Sequence, residues 1–371
     1  MRLIPGLGDL VPLLLGTFLA AALVSLALTP LVRRLMLRLG LVDEPNHRRV
    51  NADPVPRGGG LAVAVAFIVV AGVLLVFAGT LGGRVSAIFG SPDPREVFGL
   101  LVGAAIATAV GALDDAFQLR ARFQLLGQVA VALFALIAGI SVTLVNNPFA
   151  PGNITLTGPI AAGFTILWIV GMTNSINFID GLDGLSSGIA LIAAVTLGLI
   201  SLTTVINQPD VAVLCLALAG ALLGFLRWNF HPASIFIGTS GVMFVSYTLA
   251  VLAILGSAKV AVALLVLGVP IIDTFWNIVR RLATGKSPFA ADRGHLHHRL
   301  LDLGLSHSRT VLLIYAICLA LAVLSFVLSG AGHVYAFLGL AVGFGLALFL
   351  LNRDESADVL EADTYEGPSR R

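Results

Sequence analysis

Apolar residues along this chain fall in long uninterrupted blocks, and the polar residues collect in the gaps between them. The blocks lie near 11–32, 59–79, 98–113, 123–145, 159–177, 186–206, 210–226, 240–256, 259–276, 311–329 and 332–351. A helix needs about 20 apolar residues to cross a bilayer's hydrocarbon layer. The pattern therefore predicts an all-α, polytopic membrane protein with about eleven transmembrane helices. The first block is too long for a signal-peptide core and is followed by no convincing cleavage site, so it reads as a retained first helix. No period of about 20–50 residues is visible that would indicate a repeat architecture.

Composition agrees. The 371 residues are 58% hydrophobic and 11% charged, against roughly 25% charged for a soluble domain, and the mean hydropathy is +0.99. That excludes a soluble enzyme, a nucleic-acid-binding module and a disordered chain. The net charge of +2 implies no partner, but its distribution does matter. With the amino terminus outside, all of the 22 Lys and Arg residues except Arg2, Arg84, Arg95 and Lys259 fall on the inner side. The positive-inside bias then places the carboxyl terminus in the cytoplasm. Residues 1–351 read as the membrane domain, with cytoplasmic loops at about 33–58, 114–122, 178–185, 227–239 and 277–310. Residues 352–371 read as a disordered cytoplasmic tail. Cys215 and Cys318 lie in apolar runs and read as buried thiols.

Few groups remain for chemistry, and they cluster. Asn174, Asn177, Asp180 and Asp183 stand at or near a helix end, where buried acids are costly and so point to function. The spacing of three puts Asn174, Asn177 and Asp180 on one helix face, and Gly181 and Gly184 let the chain bend Asp183 back. Such amides and carboxylates suit a hard cation together with a sugar or nucleotide. Asp114 and Asp115 could bind Mg²⁺, act as base, or close a solvated turn. The run Asn229-Phe-His-Pro-Ala-Ser-Ile-Phe236-Ile-Gly238-Thr239-Ser-Gly241 has the glycines and hydroxyls of an anion platform. Arg293, His295, His297 and His298 could bind a diphosphate; zinc competes weakly, since no cysteine lies near. Arg57, beside three glycines, either reaches an anionic ligand or only follows the positive-inside bias. Asp273 reads as structural, pairing with Arg280 or Arg281.

Taken together, Pro56-Arg57-Gly-Gly, Asp114-Asp115, Asn174-x-x-Asn177-x-x-Asp180-Gly-x-Asp183-Gly, Asn229-Phe-x-Pro-Ala and His295-x-His297-His298 resemble the polyprenyl-phosphate N-acetylhexosamine-1-phosphate transferases of glycosyltransferase family 4. The resemblance covers residues of about 10 to 350 and implies a multi-pass enzyme of the bacterial plasma membrane with its site at the cytoplasmic face. It further implies transfer of a sugar-1-phosphate from a UDP-sugar to polyprenyl phosphate, releasing UMP, with Mg²⁺ or Mn²⁺ and as a start to cell-envelope glycan synthesis. The histidine loop is closer to the branch using UDP-N-acetylglucosamine than to the branch using a UDP-muramyl-pentapeptide. By the resemblance, Asp114, Asp115 and Asp180 are catalytic, while Asn177, Asp180 and Thr239 hold the metal. Arg57, Asn174, Asp183, Asn229, Phe236, Gly238, Arg293, His295, His297 and His298 bind substrate. A second copy of the chain is a candidate partner. Thr239 departs from the family, which has an aspartate there, and Asn51 stands where His is common. A neutral hydroxyl is the poorer ligand: either Asp114, Asp115 or Asp180 compensates, or the chain is a non-catalytic relative that binds nucleotide-sugar or lipid phosphate.

Overall fold

The computed structural model describes residues 3–43, 54–77, 93–150, 152–255, 259–285, 287 and 294–346. The loop around Asn51, Arg293 and the tail 352–371 lie outside the described residues. The chain is helical almost throughout. Its elements are α1 (Leu7–Arg38), α2 (Gly60–Phe77), α3 (Pro94–Phe117), α4 (Ala121–Ile137), α5 (Gly158–Ile179), α6 (Leu185–Ser201) and α7 (Pro209–Asn229). After these come α8 (Gly238–Ile254), α9 (Lys259–Val266), α10 (Gly268–Ala283), α11 (Leu296–Asp302) and α12 (His307–Val327), then α13 (Ala331–Leu346). Two short antiparallel pairs complete the described chain: β1 (Val42–Asp43) with β2 (Val55–Pro56), and β3 (Leu144–Asn146) with β4 (Asn153–Thr155).

Helices α1, α3, α5, α7 and α12 are long and apolar enough to cross a membrane, and α2, α4, α6, α8 and α13 are shorter apolar helices. The block at 259–276 is not one straight span: α9 and α10 meet at a bend of 77°. Pro270 lies in the first turn of α10, and a proline ring clashes with the carbonyl four residues back, so the chain breaks at Leu267–Gly268. The block at 123–145 is also shorter than its apolar run. Gly139 takes a left-handed conformation (φ 90°), and the bonds Gly139 N–H to Leu136 O and Ile140 N–H to Ala135 O close α4. The chain then enters the β3–β4 pair.

Packing explains the order of layers. Every residue of α8 from Ser240 to Ala253 is buried, so α8 is the centre of the bundle. Glycines bring backbones into contact around it. A Cβ on Gly60 would lie 1.9 Å from Gly241 Cα, and one on Gly111 would lie 2.4 Å from Thr239 O. On α7, Gly220 and Gly224 press against the carbonyls of Phe18 and Ala22 in α1, a small-xxx-small crossing. The outer faces keep their large apolar residues, among them Leu15, Leu19 and Leu23 on α1 and Phe275 on α10. Cys215 and Cys318 are free and buried.

The Gly60 crossing makes a direct prediction. Gly60→Ala is expected to destabilise the protein by about 1–3 kcal/mol through overpacking, read as a lower thermal midpoint in detergent. Gly163, with open space where its Cβ would sit, is the control: Gly163→Ala leaves the midpoint unchanged or raises it.

Candidate active site

The polar residues gather at one end of the bundle because successive helices deliver them there alternately. The carboxyl ends of α3, α5, α7 and α10 and the amino ends of α6, α8, α11 and α12 all meet at this end.

Asp115, at the end of α3, is buried and accepts two backbone bonds from the first turn of α8: Thr239 N–H at 2.8 Å to Oδ1 and Ser240 N–H at 2.9 Å to Oδ2. A helix N-terminus has unpaired N–H groups and a partial positive charge, so a carboxylate there is held strongly. Gly238 (φ 71°) starts that helix, and a Cβ on it would lie 2.5 Å from Gly58 N. This explains the glycines beside Arg57. The Gly59 and Gly60 N–H groups donate to Phe236 O and Ile237 O, while Phe236 N–H donates to Pro56 O. The first loop is thereby stitched to the α7–α8 connection. Asp114 closes the α3–α4 turn instead: its Oδ1 accepts from Leu119 N–H (2.9 Å) and Gln124 Nε2 (2.8 Å).

On α5, Asn174 donates to Gln128 Oε1 at 2.7 Å. Asp180 Oδ1 accepts from Ser186 Oγ at 2.5 Å across the α5–α6 turn. Burial pushes the Asp180 carboxyl up to about 7; the Ser186 bond pulls it down, and the charges of Asp115 and Asp183 push it up again. Among the described residues, the side chains of Asn177 and Thr239 and the second oxygen of Asp180 have no internal hydrogen bond. These are the residues of the expected metal set, and all three line one cavity.

Asp183 is clamped rather than free. Its Oδ2 pairs with His231 Nδ1 at 2.7 Å and accepts Ala233 N–H at 3.1 Å, while its own N–H donates to His307 Nε2 at 2.9 Å. Asp183, His231 and His307 bring three ligand-type atoms within 4.8 Å. However, the two rings are stacked at 4.1 Å with an 18° tilt, so their lone pairs run side by side instead of converging on one ion. His307 Nε2 is also already bonded. Asn229 is buried, accepting from Ser187 Oγ (2.6 Å) and donating to Ile235 O (3.0 Å).

The site residues surround two cavities. The smaller, about 320 Å³, is lined by Arg57, Asp115, Asp183, Asn229, Phe236, Gly238 and Thr239 among others. Arg57 stands 3.9 Å from Asp43 on its rim. The larger, about 830 Å³, lies between α4, α5, α9 and α10 and is walled by apolar residues such as Leu125, Phe164, Ile271 and Phe275. Asn174, His295 and His297 line its polar end. Asn177, Asp180, Gly181 and His298 belong to both. His297 is 1% exposed with neither ring nitrogen bonded. Burial, then the neighbouring His298 and His295, hold it well below the usual imidazole range, so it is neutral. A Cβ on Gly181 would lie 2.1 Å from its Nε2, which is why this turn needs glycine.

Comparison with known proteins fits this arrangement. Residues 97–257, which carry Asp114 to Thr239, match the model of glycosyl transferase family 4. The chain is 37% identical to a probable undecaprenyl-phosphate N-acetylglucosaminyl 1-phosphate transferase of Bacillus subtilis (strain 168), over 90% of this chain and 89% of the other. The chain belongs to glycosyl transferase family 4. Within the family it is also 37% identical to the decaprenyl-phosphate N-acetylglucosaminephosphotransferase of Mycobacterium leprae, over 80% of this chain and 79% of that one. An undecaprenyl-phosphate alpha-N-acetylglucosaminyl 1-phosphate transferase of Yersinia pestis is 28% identical over 79% and 78%.

In this family 4 chain, several site residues are not apparent from the sequence: Gln124, Gln128, Ser186, Ser187, His231 and His307. Each partners a motif residue from 6 to 124 positions away, a distance no local spacing encodes. Asp273 does not take the arginine partners expected of it. Its carboxylate bonds His295, Leu296 N–H and Asn277, not Arg280 or Arg281, because α11 folds back onto α10.

Asp180 generates a pH prediction. A carboxyl raised from 3.8 to about 7 in the folded state contributes stability that is fully present below the lower value and lost as pH rises through the upper. In a chelator, the thermal midpoint is expected to fall between about pH 4 and pH 7, and Asp180→Asn to flatten that fall. Superimposable profiles for the two proteins would show the raised carboxyl is absent.

Proposed function

We propose that this protein transfers N-acetylglucosamine-1-phosphate from UDP-N-acetylglucosamine to polyprenyl phosphate, releasing UMP. One observation carries the reading: an apolar cavity of about 830 Å³ and a polar one of about 320 Å³ share a wall of Asn177, Asp180, Gly181 and His298. A polyprenyl chain belongs in the first, between α4, α5 and the bent α10, with its phosphate at the polar end. The nucleotide belongs in the second, where the Phe236 ring and the free oxygen of Asp183 suit a uracil base. An oxygen of the lipid phosphate then attacks the sugar-bearing phosphorus of the donor. The bond from that phosphorus to the bridging oxygen breaks, and UMP leaves with the electron pair. Positioning and charge neutralisation do most of this work.

In this reading Asp114, whose second oxygen is unbonded among the described residues, acts on the acceptor from beside the two cavities, in a crevice it shares with Asn177 and Thr239. Asp115 organises α8. Arg57 neutralises phosphate charge, and His295 and His298 hydrogen-bond the phosphates. A hard divalent cation fits the donor set, since three unbonded oxygen-bearing side chains, Asn177, Asp180 and Thr239, line one cavity. Mg²⁺ bound there would neutralise charge on the donor diphosphate.

The site lies at the cytoplasmic face, with eleven crossings counting the α9–α10 pair as one, the amino terminus outside and the carboxyl terminus inside. The arginine distribution supports that orientation, and the alternation of site-bearing helix ends supports the crossings.

Purified protein given UDP-N-acetylglucosamine, undecaprenyl phosphate and Mg²⁺ is expected to release UMP and form a lipid-linked sugar. Asp114→Asn and Asp180→Asn are each expected to lower kcat/KM by about 10²-fold or more. No UMP from any UDP-sugar would end the proposal. Thr239 favours one second reading, a nucleotide-sugar-binding relative without turnover. Donor binding with no UMP release, together with turnover gained by Thr239→Asp, would establish it.

A further inference from the structure

We infer that Asp273 is a positioning residue that fixes which nitrogen of His295 is offered to the large cavity. Asp273 lies on α10 with no exposure at all, and a buried carboxylate persists only when its oxygens are bonded. Each oxygen has its own task. Oδ2 lies 2.7 Å from His295 Nδ1. Oδ1 accepts the Leu296 N–H at 2.9 Å, in the first turn of α11, and lies 3.3 Å from Asn277 Nδ2. Asn277 in turn donates to Asp273 O at 2.8 Å and accepts from Arg280 Nη2 at 2.9 Å. The Asn277 amide also lies 3.2 Å from His295 Nδ1, but the shorter contact decides the tautomer. A carboxylate oxygen 2.7 Å from a ring nitrogen requires a proton between them, so Nδ1 is the N–H.

The ring is held in place on both sides, by Phe178 at 5.7 Å and His297 at 5.8 Å between centroids. Its remaining nitrogen, Nε2, has no bond among the described residues, and His295 lines the cavity assigned above to the acceptor. Neutral, the ring offers a lone pair that can accept from an O–H of that phosphate. Protonated, it offers an N–H with a buried counter-charge behind it. Both states need the Nδ1 proton that Asp273 demands. The inference rests on the proposed reaction for its kinetic consequence, though not for the tautomer itself.

Asp273→Asn separates the two. Leu296 N–H still needs an acceptor, so the carboxamide oxygen stays with it and the NH₂ turns to His295. Nδ1 then becomes the acceptor, and the proton moves to Nε2. Protein with ¹⁵N-labelled histidine rings, with His295 assigned by loss of its signals in His295→Gln, is expected to show Nδ1–H in the wild type and Nε2–H in the variant. Turnover should fall about 10- to 100-fold, while the KM and direct binding of UDP-N-acetylglucosamine stay near wild type. A wild-type ring protonated at Nε2 and bare at Nδ1 overturns the inference even if the variant does not fold. So does an unchanged tautomer in the variant, or an inverted one with unchanged kcat. A wild type that binds and releases nothing refutes the reaction and leaves the ring measurement to decide the placement.

Discussion

A carboxylate withdrawn from water must find donors, and in this bundle those donors come from another helix or turn. Asp115 of α3 takes them from the first turn of α8, Asp183 from the α7–α8 connection, and Asp273 of α10 from the start of α11. In an apolar surround an unsatisfied partner costs several kcal/mol. These bonds therefore specify which helix ends lie together more strictly than the largely non-directional packing of Leu, Val and Ala can. The glycine crossings at Gly60 and Gly111 make the approach possible; the acids choose its register.

The same arrangement divides the site by polarity. One cavity is walled by lipid-like side chains and the other by carboxylates, two amides, an aromatic ring and an arginine, with four residues in common. A water-soluble reactant and a membrane-dissolved one have no shared solvent in which to meet. The partition between them is one residue deep, with glycine at Gly181 and the compact ring of His297 behind it, so in the proposed reaction the two phosphates can approach without either reactant leaving its own phase.

Much of this was legible beforehand where the information is local. Apolar blocks marked the helices, and the spacing of Asn174, Asn177 and Asp180 put them on one wall because a helix face repeats over three to four residues. The break at Gly268 and Pro270 was written in the chain but hidden inside an apolar run, where composition outweighs a single proline. Partners such as Ser186 for Asp180, Ser187 for Asn229 and His307 for Asp183 were not legible. A serine or histidine at a helix start is ordinary until the fold shows what stands opposite. Asp273 failed for the same reason: Arg280 and Arg281 are near in sequence, whereas His295 becomes near only once α11 turns back.

The bond from Asp183 to His307 joins two residues 124 positions apart. A membrane chain is inserted from its amino end as it is synthesised, so the helices that carry Asp115, Asp180 and Asp183 are made long before residue 307 exists. During that interval the clamp on Asp183 is open and the histidine segment is missing, and a prematurely terminated chain holds acids without the imidazoles that complete their surroundings. The surroundings of Asp183 are therefore completed only late in biogenesis, after the chain has grown past residue 307.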